Sequence, residues 1–315
     1  MAEQGDYMSR KRKKLERLTL LSAYQSFVMA KRASGLAEKT LETYIFHFNA
    51  FARYIDMDTP LDELDKLDLE KAIGELAKKG LSSNTIRSYT ASLKTFLSWC
   101  RENELADIDI PLYKGEETVK ETYTDEELRK LLVKPNLKKT SFTTYKLWVI
   151  ENLLVSNGIR AATVRAIRIR DVSMDQSLIR VRHNKSRKAL IIPLSPEMAS
   201  IIAGYMKLRK GNPDDPLFPD VYGDPMSENC LRMGIKHYNH AHGVQKTGIH
   251  MFRHTFARLY LIDCKGDALK LQKLLGHSTL KMTQHYVQIY NDDLIRDYQT
   301  MSPLDVIKKK KKGQF

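Results

Sequence analysis

Leu178-Ile179-Arg180-Val181-Arg182, a turn-prone Asn184-Lys185-Ser186, and Ala189-Leu190-Ile191-Ile192-Pro193 form the stretch that decides the fold class. Apolar and basic side chains alternate in the first piece, and β-branched residues crowd the second. The pattern predicts a short antiparallel sheet of two or three strands within residues 167–194. On both sides of it the period is helical. Downstream, apolar residues recur at helical spacing around 195–209, 227–241, 251–263, 267–275 and 279–289. Upstream, a long helix is expected from about 141 to 155, ending at Gly158, and Thr124 with Glu127 is a capping-box signature that starts a helix. Further back, Leu41, Tyr44, Ile45, Phe48, Phe51 and Ile55 share one face; Leu69, Ile73 and Leu76 form a shorter face that stops at a C′ glycine, Gly80; and Ser82 or Ser83 caps a helix with Ile86, Leu93, Phe96, Leu97 and Cys100 inward. The fold class is mainly α with a small antiparallel β-sheet: an N-terminal helical domain, then a mixed α+β domain. The expected organisation is a basic flexible arm over 1–16, a helical domain over 17–107, a linker over 108–122 marked by Pro111 and Gly115, a mixed domain over 123–300, and a lysine-rich tail over 301–315.

Composition narrows the function. The chain has 315 residues, 29% charged and 42% hydrophobic, which is globular composition. No run reaches about 18 apolar residues, so no membrane span and no membrane partner is expected. The basic N-terminus lacks a signal peptide's apolar core and cleavage site. Cys100, Cys230 and Cys264 have neither metal-ligand nor disulfide spacing; they suit a reducing compartment and are expected in the core. The net charge of +14 is uneven. Residues 1–113 carry 17 basic and 17 acidic side chains, whereas 114–315 carry 35 and 21, so the whole excess lies in the second part. Lys308 to Lys312 supply five of those charges and +9 remains without them. A basic domain beside a neutral one points to a polyanion, with nucleic acid the first candidate.

Four places concentrate reactive groups. Asn157-Gly158-Ile159-Arg160 sets an arginine behind a helix-ending glycine; Lys185 sits at the β-turn; His250-Met251-Phe252-Arg253 sets a histidine and an arginine three apart; Leu275-Gly276-His277 is followed, nine residues after the histidine, by Tyr286. Singly, each has a structural reading: a salt bridge, a solvated lysine, a satisfied pair, a half-buried phenol. In this order and spacing the set resembles the tyrosine recombinase (phage integrase) family, of a Xer-like or transposon type, over nearly the whole chain. His250 to Phe256 and Leu274 to His277 are its strongest pieces. The family commonly has an acidic residue three positions after the first arginine, where this chain has Thr163.

The resemblance implies a core-binding, DNA-binding helical domain, a catalytic domain, and a site of Arg160, Lys185, His250, Arg253 and His277 with Tyr286 as nucleophile. Spacing from His277 favours Tyr286 over Tyr290. It implies strand cutting and rejoining by transesterification through a 3′-phosphotyrosyl link, with double-stranded DNA as partner, a homotetramer on two DNA sites (monomer or dimer off DNA), no cofactor and no metal, in the cytoplasm of a prokaryote or mobile element. About 18 residues precede the first helix, which favours an enzyme without an extra arm-binding domain. The chemistry fits these residue types. A phenol with a pKa near 10 is ionised about one part in a thousand at neutral pH, so it needs a base or a cationic field. Two guanidiniums grip a phosphate's non-bridging oxygens and never lose charge. Lys185 suits the proton donor to the leaving 5′-oxygen; His250 either takes the tyrosine proton or orients Arg253. Two other readings compete. The crowded His237, His240, His242, His250 and His254 suggest a metal enzyme, but without partner cysteines or a His-Glu-x-x-His motif. A non-catalytic DNA-binding or accessory protein of the same fold would have no reason to keep the full reactive set.

Overall fold

A computed structural model of the chain describes residues 17–115, 121–181, 190–276 and 279. They fall in two compact units, one within Met1–Thr118 and one within Val119–Phe315.

The first unit packs four helices, α1 (Leu20–Ala33), α2 (Glu38–Phe51), α3 (Lys66–Ala77) and α4 (Ser83–Glu102). Polar caps set their starts: Thr19 forms a capping box on α1, Asp65 caps α3, and Ser82 rather than Ser83 caps α4 by accepting the Thr85 N–H. The expected inward faces are inward: Leu41, Phe48, Phe51 and Ile55 are buried, with Tyr44 and Ile45 partly so. Gly80, expected from sequence at C′, stands two residues past the α3 cap, Lys78, with φ +70°, and so occupies C″. The segment read as linker begins later than 108: Ile110 is fully buried in this unit's core, and Lys94 Nζ donates to Asp109 and to the Ile110 carbonyl. Pro111 and Gly115 signal a break, but the apolar residues just before them still bury surface.

The second unit is built round α6 (Phe142–Asn157), which follows α5 (Asp125–Leu131). The Thr124–Glu127 capping box forms on α5, and Ser141 caps α6. Burial on every side of α6 explains why its sequence lacks a polar face. After α7 (Ala161–Ala166) come β1 (Val172–Ser173), β2 (Leu178–Val181) and β3 (Leu190–Pro193), an antiparallel sheet in the order β1-β2-β3 with Ile179 opposite Ile192. Then follow α8 (Pro196–Arg209), α9 (Glu228–Ala241), α10 (Ile249–Arg258) and α11 (Ala268–Leu275). The pattern expected as one helix over 251–263 is α-helical only to Arg258; it widens over Leu259–Asp263, where the Cys264 N–H reaches back five residues to the Leu259 carbonyl. The cysteines also differ from expectation. Cys100 is buried and its thiol is pushed up to about 12 by desolvation, whereas Cys230 and Cys264 are exposed, one in the first turn of α9 and one just past the widened turn. Among the described residues no helix is long and apolar enough to cross a membrane. The arm over 1–16, the helical pattern at 279–289 and the lysine tail lie outside the described residues.

Candidate active site

An apolar helix that must stop abruptly needs a left-handed residue at its end. At the end of α6 this is Gly158, with φ +57°; a Cβ there would lie 2.4 Å from Cδ1 of Phe256. Only glycine permits that approach, and it brings α10, which carries Phe256, against the turn. Arg253, one helical turn before Phe256, is buried at 5% exposure. Its Nη1 donates to the Gly158 carbonyl at 2.9 Å and its Nη2 to the Leu275 carbonyl at 2.9 Å. Both acceptors sit at helix C-termini, where carbonyls lack intrahelical partners and carry partial negative charge. The backbone ends of α6 and α11 thus set the position of Arg253.

Arg160 follows Gly158 through the buried Ile159, and its carbonyl starts α7 by accepting the Thr163 and Val164 N–H groups. Its Nη1 donates to the Leu275 carbonyl at 3.5 Å and the Gly276 carbonyl at 3.4 Å, both at the long end of hydrogen-bond range. Arg160 makes no ion pair among the described residues, and Thr163, at the position commonly acidic in the family, is buried. Among the described residues, the carbonyls of Leu275 and Gly276 rather than a carboxylate lie at this guanidinium. Two cations therefore meet at one carbonyl, that of Leu275. Such a pair repels itself until an anion lies across it, and a phosphate offers bidentate acceptors to both.

The other face of α10 is anchored as firmly. The Tyr123 N–H donates to Thr255 Oγ1 at 2.9 Å, and the Tyr123 ring stacks on Phe252 at 4.3 Å. Asn239 Nδ2 donates to the Tyr123 hydroxyl at 3.0 Å and the Lys246 carbonyl at 2.7 Å. Burial pushes the Tyr123 phenol above its usual range, the Glu151 carboxyl well above the carboxylate range, and the buried Lys146 ammonium down.

Of the six residues named from sequence, the structure brings Arg160 and Arg253 together at Leu275–Gly276. His250 is exposed in the first turn of α10, one turn before Arg253. Lys185, His277 and Tyr286 lie outside the described residues, though β2 and β3 flank the lysine hairpin. The crowded histidines have other surroundings: the His242 ring packs against Tyr238 at a tilt of 30°, with Nδ1 at 2.8 Å from its carbonyl. Among the described residues no three His, Cys, Asp or Glu side chains gather at a metal-binding arrangement. Sequence reasoning missed the hydrogen bond from Asn157 to Pro193 and the Tyr123–Thr255 link. The signal for the first is an amide in the last position of a helix that the glycine behind it stops; the second left none.

The profile described as Phage integrase family matches residues 121–292, more than half of the chain, and that described as Phage integrase, N-terminal SAM-like domain matches residues 24–107. The chain belongs to the phage integrase family and is a tyrosine recombinase. A tyrosine recombinase XerD of Staphylococcus haemolyticus (strain JCSC1435) is 25% identical over 297 residues, covering 90% of this chain and 99% of the relative. Among solved structures, the Tn1549 transposon integrase in complex with transposon right end DNA shares the fold with a TM-score of 0.71 at 19% identity, over 85% of this chain and 94% of that one. A lambda integrase tetramer bound to a Holliday junction does so with a TM-score of 0.69 at 17% identity, over 89% and 80%.

Proposed function

We propose that this chain is a cytoplasmic site-specific DNA recombinase that cuts and rejoins double-stranded DNA through a phosphotyrosyl intermediate on Tyr286. The observation that carries the reading is the convergence of Arg160 and Arg253 on the Leu275–Gly276 turn. A scissile phosphate lying there would have its non-bridging oxygens held by both guanidiniums, with His277, the next residue, as a further donor. The Tyr286 hydroxyl passes its proton to a base, for which His250 is the candidate, and its oxygen attacks phosphorus in line with the 5′-oxygen. As the new P–O bond forms, the bond to the 5′-oxygen breaks, and that oxygen leaves with the electron pair and takes a proton from Lys185. The 3′-phosphate remains on the tyrosine, and the 5′-hydroxyl of a second strand reverses the step. Bond energy is retained throughout, so no cofactor is required. Charge that develops on the phosphate is met by cations already in place; loss of one such donor typically costs about 3–4 kcal/mol of barrier. Exchange between two DNA sites calls for four copies, and the tetramer of the lambda integrase structure supports that assembly.

The test is covalent capture. The full chain is incubated with a random-sequence pool of nicked duplexes and then denatured in SDS. The expected result is a protein–DNA adduct that Tyr286→Phe does not form and that EDTA leaves intact. Absence of any adduct, or an equal yield from the phenylalanine variant, overturns the reading.

A further inference from the structure

Tyr123 is fully buried, and its backbone N–H must find an acceptor inside the protein. Among the described residues that acceptor is Thr255 Oγ1, at 2.9 Å. Thr255 is itself fully buried, and its own hydroxyl donates to the Met251 carbonyl one turn back at 2.8 Å, so the oxygen turns a lone pair to the Tyr123 N–H. Bonds to neighbouring groups hold that N–H in place. Lys246 Nζ donates to the Thr122 carbonyl and to Glu127 Oε2, both at 3.1 Å, and Asn239 Nδ2 donates to the Tyr123 hydroxyl at 3.0 Å. Residues 122–127 therefore form a fixed strap along one side of α10.

Thr255 stands two residues after Arg253, about 200° further round the helix. The strap bonds α10 on one side, while the Gly158 and Leu275 carbonyls bond Arg253 on nearly the opposite side. Apolar contact does not replace the first bond. Phe252 and Phe256, four residues apart, share one face and resist separation of the helix, but apolar burial is non-directional and tolerates a small turn about the axis. The bonds of Arg253 do not replace it either. Its flexible arm could reach both carbonyls from a slightly rotated helix, and the remaining guanidinium N–H groups would then point elsewhere. Rotation needs a stop here because α10 loses α-geometry directly after Arg258, in the widened turn over Leu259–Asp263. That turn carries an extra residue, and any residue it moved past would swing by about 100°. Thr255 lies three residues before the last α-helical position, where Arg258 Nη2 meets Asp125 Oδ1 of the same strap at 3.1 Å.

We infer that Thr255 is a positioning residue for Arg253: by taking the Tyr123 N–H it fixes the rotation of α10 and so aims the N–H groups that Arg253 offers to the phosphate. The inference rests on the proposed role of Arg253 at the scissile phosphate.

A double-mutant cycle tests it, read as single-turnover adduct formation at a saturating concentration of a duplex recovered by covalent capture on the wild-type chain. Thr255→Val keeps the shape and loses the acceptor. It should slow capture by about 10- to 100-fold while affinity for the duplex stays within about threefold, and Thr255→Ser, which restores the hydroxyl, should return to within about threefold of wild type. In an Arg253→Ala background the same valine should slow capture by less than about twofold, because the residue it acts through is gone. Thermal melting identifies the folded variants, Thr255→Ala serves where the valine variant does not fold, and all rates are compared below the melting temperature of the least stable. Equal slowing with and without Arg253, or a folded Thr255→Val chain that captures DNA as fast as wild type, overturns the positioning role while the reading of Arg253 stands. If Arg253→Ala captures DNA as fast as wild type, that reading falls and this inference with it. If the wild-type chain captures no duplex, the proposed function itself has failed.

Discussion

The two units hold their chains together with different materials. In the first, Thr90 is the one buried residue of polar or charged type among the described residues, and its hydroxyl donates within its own helix to the Ile86 carbonyl. The rest is apolar apart from the buried Tyr24 hydroxyl, which has no hydrogen-bond partner among the described residues; it centres on Tyr24, Phe27, Phe48 and Phe96, with Tyr24 and Phe48 stacked at 3.5 Å between centroids. In the second, Lys146, Glu151, Asn157, Thr163, Asn239, Arg253 and Thr255 are all buried. Burying polar groups costs stability unless each is bonded, and even then the return is small. The second unit accepts that cost where long-range geometry is needed: the bonds of Asn157, Arg253 and Thr255 join elements 36, 95 and 132 residues apart. The basic excess of the chain lies in the same part. Apolar burial fills space without specifying where one arginine points; hydrogen bonds at helix ends do specify it.

The largest expected effect breaks the apolar side of this contrast. Phe96→Ala removes a fully buried ring in contact with Tyr24, Phe27 and Phe48, and should cost about 3–5 kcal/mol, read by hydrogen exchange as lost protection in α1, α2 and α4. A loss below about 1 kcal/mol would contradict the account of that core.

Next comes the pair of arginines, which should separate stability from chemistry. Arg253→Ala removes the 2.9 Å donors to the Gly158 and Leu275 carbonyls, leaving Leu275 only the long contact from Arg160, and should cost about 2–4 kcal/mol of stability while slowing adduct formation by about 100- to 1000-fold. Arg160→Ala removes only long hydrogen bonds from a half-buried side chain; it should cost less than about 1 kcal/mol of stability yet slow the same step by a similar factor. Chemical denaturation and single-turnover capture measure the two quantities. Equal stability losses would show that helix-end carbonyls do not distinguish these residues.

The smallest effect concerns Glu151, both of whose carboxylate oxygens are buried without a hydrogen-bond partner among the described residues. Burial raises its folded pKa well above the ordinary 4.5, so the native state keeps a proton that the unfolded chain releases. The stability associated with the neutral acid is complete below about pH 4.5 and is lost as pH rises towards the folded value. Glu151→Gln should therefore stabilise the chain by about 1–3 kcal/mol at pH 8 and have little effect at pH 4, as followed by thermal melts. A gain independent of pH would contradict the buried-acid account.

Much of this architecture was legible in the sequence because its causes are local. The Thr124–Glu127 box, the Ser141 cap, the Gly158 stop and the alternation about the β-turn each act within a few residues, and each formed. The order of the reactive residues likewise singles out Arg160 and Arg253, and the structure brings both guanidiniums to the Leu275 carbonyl. What stayed hidden depends on partners distant in sequence. Asn157 reads as an ordinary helix-end amide until Pro193 is beside it, and Thr163 gives no hint that backbone carbonyls support Arg160. Ile110 looks like linker because Pro111 and Gly115 follow it, yet tertiary burial decides its place. Cys230 and Cys264 look like small core residues by type, but each falls where its helix end faces solvent.

The most direct test of the central claim is to digest the captured adduct and locate the DNA by peptide mass spectrometry. The account predicts a nucleotide joined to Tyr286, with Arg160→Ala and Arg253→Ala each forming that same link more slowly. A nucleotide on Tyr290 or on any other residue would contradict it.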